Sequence, residues 1–186
     1  MLKIQIIAGS TRPGRVNEKA VKWIYELAKQ RQNLNIEVVD IADYNLPLLD
    51  EPVPPMAANR QYTREHTKKW SEKINQADGY IFVTPEYNRG ISAALKNAID
   101  YLNPEWRNKT AGFVGYGTVG GARAIEQLRL NLAELHVATV RDASYFNPAS
   151  GFDYSDIHPS ETHINDANLM LDELTAWAAA LKTVRQ

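Results

Sequence analysis

The chain has 186 residues, with 21 Lys and Arg against 22 Asp and Glu, and no cysteine. A formal charge of -1 gives no electrostatic case for a nucleic-acid partner or an anionic membrane. The lack of Cys excludes disulfides, thiolate catalysis and cysteine-ligated metals. A chain of this length suits one domain over residues 1–186 that buries roughly 70% of its unfolded surface.

Hydrophobic period predicts a first strand at Leu2 to Ala8, a helix from about Arg15 to Gln30 and a strand at Ile36 to Asp40. Pro47, Pro52, Pro54 and Pro55 block helix interiors and central strands, so Ile41 to Asn59 is expected to be a long surface loop. Tyr62, His66, Trp70, Ile74 and Ala77 then share one helical face, followed by a β-branched and aromatic strand at Gly79 to Thr84. After a polar tip at Pro85 to Gly90, Ile91, Ala94, Leu95, Ala98, Ile99 and Leu102 recur at helical spacing. A strand at Thr110 to Tyr116, a glycine-rich turn, a helix from about Gly121 to Leu135 and a strand at Val137 to Arg141 complete five repeats of β then α. Pro148, Gly151 and Pro159 mark another loop, and Ile164 to Leu181 places an apolar face on a closing helix. Such alternation implies a parallel sheet covered on both faces, with right-handed crossovers. Met1 to Ala8 is too short for a signal peptide and no apolar run reaches membrane length, so a cytoplasmic protein with no membrane span is expected.

Two loops carry polar chemistry at the carboxyl ends of strands, where open α/β sheets bind ligands. In the first, Ser10, Thr11 and Asn17 supply donors, Arg12 and Arg15 supply positive charge, and the following helix points unsatisfied N–H groups at the same space. Gly9 and Gly14 allow close backbone approach, so a phosphate fits there. In the second, Pro85-Glu86-Tyr87-Asn88 lies between a buried strand and a strongly patterned helix. A plain turn with ordinary caps is the alternative for each loop taken alone.

A third loop, Gly115 to Gly120, satisfies Gly-x-Gly-x-x-Gly after a strand and before a helix, with Asp142 about twenty residues on. That is the spacing of a dinucleotide site in a dehydrogenase, although the fingerprint normally sits on a first strand. His158 and His163 stand near Asp153 and Asp156, but without cysteines or a His-Glu-x-x-His pattern they read as a polar loop, and no metal site is assigned. No Ser sits in a nucleophile elbow. Arg123, Arg129 and Arg141 read as solvated or ion-paired charges, with a basic patch for an NADPH phosphate as the alternative.

Gly9-Ser10-Thr11-Arg12-Pro13-Gly14-Arg15-Val16-Asn17, Pro85-Glu86-Tyr87-Asn88 with Leu95-Lys96-Asn97-Ala98-Ile99-Asp100, and Gly117-Thr118-Val119-Gly120-Gly121 together resemble the NAD(P)H-dependent FMN reductases. The likeness runs from Ile4 to about Arg141, and departs from the family at Arg15 and Ser92, where Ser and Pro are frequent. The resemblance implies a flavodoxin-like three-layer sandwich with a five-stranded parallel sheet in the order 2-1-3-4-5. It also implies FMN as cofactor, NADPH or NADH as donor, and a small-molecule acceptor such as a quinone, azo dye, free flavin, metal oxyanion or nitroaromatic. By that likeness Ser10, Arg12, Arg15, Val16 and Asn17 hold the phosphate. Pro85, Glu86, Tyr87 and Asn88, with Gly117, Thr118, Gly120 and Gly121, hold the ring, Tyr87 as an aromatic wall and Asn88 near the reacting nitrogen. Hydride transfer needs no side-chain acid or base, so no catalytic residue is assigned. A flavodoxin-like electron carrier is the remaining alternative. The family also implies a homodimer or tetramer, for which Trp70, Tyr101, Trp106 and the proline-rich loop are expected to supply apolar surface.

Overall fold

Strands whose side chains are apolar on both sides need cover on both sides, and the computed structural model, which describes residues 1–185, supplies it. Five strands form one parallel sheet in the order β2-β1-β3-β4-β5: β1 (Leu2–Ala8), β2 (Leu34–Asp40), β3 (Gly79–Pro85), β4 (Lys109–Tyr116) and β5 (Val137–Phe146). Helices α1 (Asn17–Ala28) and α6 (Glu161–Lys182) cover one face. Helices α3 (Glu65–Asn75), α4 (Ala93–Asp100) and α5 (Ala122–Glu134) cover the other. Alternation along a strand sends Ile6, Ile81 and Val83 into the first layer and Ile7, Tyr80 and Phe82 into the second. This is the flavodoxin-like sandwich that the family resemblance implies. Among the described residues no helix is long and apolar enough to cross a membrane.

The segment after β2 is more structured than a surface loop. Asp40 caps a 3-10 turn at Ile41–Tyr44 by accepting from the Ala42 N–H, and Pro55 opens a short helix α2 (Pro55–Ala58), a position where its missing donor costs nothing. Ile41, Ala58 and Tyr62 are buried against α3, with the Tyr44 ring 4.7 Å from Trp70. This explains a correction to the expected subunit interface. Trp70, Tyr101 and Trp106 are fully buried within the chain itself, the indoles donating to the Ala98 and Ile99 carbonyls. Helical spacing had identified an apolar face but not the segment that covers it.

Strand β5 runs five residues beyond the expected end at Arg141. The sheet register slips there, Ala111 pairing with Thr139 but Phe113 with Ala143, so Arg141 and Asp142 lie in a bulge. Its backbone groups find side-chain partners: the Arg141 and Asp142 N–H groups donate to Glu173, and Arg129 donates to the Val140 and Arg141 carbonyls. Asp142 therefore sits in mid-strand, away from the carboxyl edge where a ribose-binding acid belongs, and the dinucleotide reading loses its acid.

At the opposite edge Lys109 is buried, its ammonium donating to the Ile74 and Asn75 carbonyls at the end of α3 and to Tyr80 Oη at 2.9 Å. Burial, aided by Arg185, lowers its pKa to about 7. The folded chain thus releases this proton at lower pH than the unfolded chain, whose lysine titrates near its ordinary value. Between those two values the unfolded state binds more protons, so stability rises with pH, and the full cost is present below the folded pKa. Urea melts are expected to show a rise on the order of 2 kcal/mol from about pH 7 to about pH 9, and Lys109→Met to remove most of that slope.

Candidate flavin site

The site is built where β1 and β3 end side by side. The Gly9 N–H and Asn17 Nδ2 both donate to the Val83 carbonyl at 2.9 Å. Ser92, the N-cap of α4, accepts from the Leu95 N–H and donates to the Gly9 carbonyl at 2.6 Å. Ser92 thus replaces the family's frequent Pro with a cap that also ties α4 to the first loop; such caps contribute about 1 kcal/mol. Gly9 has no room for a side chain, since a Cβ would stand 2.7 Å from the Val83 carbonyl oxygen and 2.8 Å from Leu95.

The first loop leaves the start of α1 without a side-chain cap, so its N–H groups face the loop with no side-chain acceptor. Arg12 is exposed and pairs with no carboxylate among the described residues. Ser10 is buried, its Oγ 3.2 Å from Tyr87 Oη, which brings the first and second loops together. Two expected phosphate ligands have other partners. The Asn17 amide braces Val83, and the Arg15 guanidinium is held by both oxygens of Asp40, by the Ser10 carbonyl and by Glu18.

The second loop is a two-residue hairpin. Tyr87 and Gly90 exchange both backbone hydrogen bonds, and Asn88 and Arg89 at its tip have φ of 49° and 68°. Positive φ at both central positions is the mark of the tight primed turns, and it leaves Tyr87, Asn88 and Arg89 exposed. The Glu86 side chain turns inward: it accepts from the Arg123 N–H in the first turn of α5 at 3.0 Å and from the Arg123 guanidinium at 2.6 Å. Glu86 is therefore a helix cap, favoured by the macrodipole, and only its main chain remains to face a ligand.

Between these loops lies a cavity of about 260 Å³. Of the residues expected from the sequence, Arg12, Val16, Pro85, Glu86, Tyr87, Gly117 and Thr118 line it. Gly120 packs against Tyr145 and Gly121 against the Gly115–Tyr116 backbone, so both shape the third loop from behind. Tyr116, Phe152 and Tyr154 also line the cavity, and sequence reasoning did not find them. Phe152 and Tyr154 belong to the β5–α6 loop, their rings 4.9 Å apart, and Phe152 lies 5.8 Å from Tyr116. Tyr154, at φ 69°, places its hydroxyl 3.5 Å from Thr118 Oγ1. A wider groove of about 420 Å³ on the far side of Thr11, against α4, is lined by neutral side chains and offers no charge to an anion.

This cavity fits a flavin mononucleotide. Its polar end joins an uncapped helix start to an unpaired guanidinium, the combination that binds phosphate. Gly117, at φ 139°, leaves bare the space beside the Glu86 main chain that a Cβ would fill, so a flat ring can lie on backbone there. The buried atoms Asn17 Oδ1 and Tyr116 Oη lack hydrogen-bond partners, a state that proteins rarely leave uncompensated. Burial raises the Tyr116 pKa, with the nearby Asn17 amide acting against that rise, so the phenol stays protonated and can donate.

Residues 2–150 match the family model described as NADPH-dependent FMN reductase. The chain is 42% identical to an NAD(P)H-dependent FMN reductase of Nectria sp. over 187 residues, covering 98% of this chain and 90% of the relative. It is 32% identical to a quinone reductase of Pseudomonas putida over 161 residues, covering 82% of each. Among solved structures it is similar to the flavoenzyme NAD(P)H:acceptor oxidoreductase of Paracoccus denitrificans, with a TM-score of 0.70, 22% identity and 98% of each chain covered, a likeness of fold. The chain belongs to the NADPH-dependent FMN reductase family of oxidoreductases.

Proposed function

We propose that this protein is an FMN-dependent NAD(P)H oxidoreductase that takes hydride from the reduced nicotinamide onto bound FMN and passes the electrons to a small acceptor. The observation that carries the reading is the cavity with an uncommitted positive end at Arg12 and α1 and a backbone-lined slot at Glu86 and Gly117. FMN, when bound, supplies the hydride and electron chemistry. The chain's own work is binding and orientation. Arg12, Ser10 and the N–H groups opening α1 hold the phosphate, and Tyr116 and Asn17 offer polar atoms to the ribityl chain. The main chain of Pro85 to Asn88 and of Gly117 and Thr118 supports the ring, with Tyr87 as its wall. The start of α5, already bearing the Glu86 carboxylate, is tied by that contact to the loop that would support the ring. The acceptor class extends over quinones, azo dyes, free flavins, metal oxyanions and nitroaromatics.

Pairing of two copies is part of the proposal. It rests on the segment from the end of the 3-10 turn into α2, where Leu48 is 83% and Met56, in the first turn of α2, 69% exposed, and where Leu49 and Val53 are exposed as well. Contiguous exposed apolar groups favour association.

Three measurements test these statements. Protein given FMN and dialysed is expected to stay yellow and to bleach on anaerobic NADPH. With an acceptor present, double-reciprocal plots should be parallel, because donor and acceptor use one open ring face in turn. Intersecting lines contradict the exchange, and NADPH oxidation no faster than free flavin supports indicates a carrier instead. Sedimentation is expected at twice the monomer mass, with Leu48→Asp and Met56→Asp together shifting it to the monomer; wild-type protein at the monomer mass removes the pairing.

A further inference from the structure

Arg15 stands in the phosphate loop but does not line the cavity. A guanidinium has five N–H donors in a rigid fork, and four of them have partners. Nε donates to Glu18, Nη2 to Asp40 Oδ2, and Nη1 both to Asp40 Oδ1 at 3.1 Å and to the Ser10 carbonyl. The Arg15 side chain is only 10% exposed, so the fork is seated and has little freedom to swing toward a ligand. Asp40, at the end of β2, is fixed independently of Arg15, since it also accepts from the Ala42 N–H at 2.9 Å.

We infer that Arg15 and Asp40 form a positioning pair for the phosphate loop, Arg15 acting through the Ser10 carbonyl and not as a ligand of the phosphate itself. The inference rests on the flavin reading above. A carbonyl oxygen turned toward a phosphate would repel it; bound to Arg15, the Ser10 carbonyl is engaged outside the cavity. The same restraint sets the Ser10 hydroxyl near Tyr87 Oη and the Arg12 N–H, at 3.2 and 3.4 Å. Asp40 also cancels the Arg15 charge, so the anion site draws on Arg12 and the helix start. A direct ligand would show the opposite logic, because Asp40 would then compete with the phosphate for Arg15.

The test is the affinity for FMN and for riboflavin, which lacks the phosphate, followed by flavin fluorescence for wild type, Arg15→Met, Asp40→Asn and the double variant. Each single change is expected to weaken FMN about tenfold, a charged hydrogen bond's worth. Riboflavin affinity is expected to stay within about twofold, and the double variant to be no weaker than either single one, since both remove the same restraint. Arg15→Lys, which keeps the charge and the fold but lacks the fork, should lose affinity as Arg15→Met does. Tighter FMN binding by Asp40→Asn, or wild-type affinity in Arg15→Lys together with a loss in Arg15→Met, assigns Arg15 to the phosphate directly and overturns the inference. Equal losses for FMN and riboflavin make the pair a general structural contact and overturn it as well. Wild-type protein that binds neither flavin overturns the flavin reading, and the pair's role with it.

Discussion

The Val83 carbonyl holds the site together. It lies two residues before the end of β3 and accepts from two directions, the Gly9 N–H of β1's continuation and the Asn17 side chain at the first turn of α1. Through Gly9 the junction continues to Ser92 and so to α4. Two strands and two helices are thus registered by three buried hydrogen bonds. Removing the Ser92 hydroxyl would leave the buried Gly9 carbonyl without its donor, which costs about 1–3 kcal/mol. Three features of the cavity follow from that register: where α1 points its N–H groups, how close the Tyr87 hairpin comes to Ser10, and why residue 9 has no side chain.

Charge around the cavity is arranged by pairing. Asp40 takes up Arg15, Arg123 takes up Glu86, and Lys19 takes up Asp156 in the β5–α6 loop at 3.0 Å. Each pair ties two segments that border the site, and each removes a charge that would otherwise compete for a ligand. Of the charged residues that line the cavity, Arg12 is left over, together with the α1 start. In a chain of nearly zero net charge this local surplus is what the proposed flavin phosphate would meet, and Val16, Tyr116 and Phe152 would give apolar walls to the planar body attached to it.

Much of this was legible in the sequence because it depends on local pattern. Strands β1, β3 and β4 are runs buried on both faces, and an unbroken apolar run ending in Gly-Ser or Pro-Glu marks both strand and loop. The first two loops were found for the same reason. What escaped depends on partners distant along the chain. Arg141 and Asp142 look like the end of a strand, and only Arg129 and Glu173 make them a bulge within it. The burial of Trp70 and Trp106 needs a cover that comes from Tyr44, Ala58 and Tyr62. The spare donors of Asn17 and Arg15 look identical to phosphate ligands until Val83 and Asp40 are seen to use them. Phe152 and Tyr154 carry no motif, and their place on the cavity wall follows from the folding of a loop with Gly151 at φ 100°.

The most direct test of this account is the amide spectrum of nitrogen-15-labelled protein titrated with FMN and, separately, with riboflavin. If the phosphate sits at the opening of α1, the Val16, Asn17 and Glu18 amide protons move downfield with FMN and stay in place with riboflavin, while Glu86, Tyr87 and Gly117 respond to both. Equal shifts at residues 16–18 with the two flavins, or FMN shifts confined to the groove beside Thr11 and α4, would contradict it.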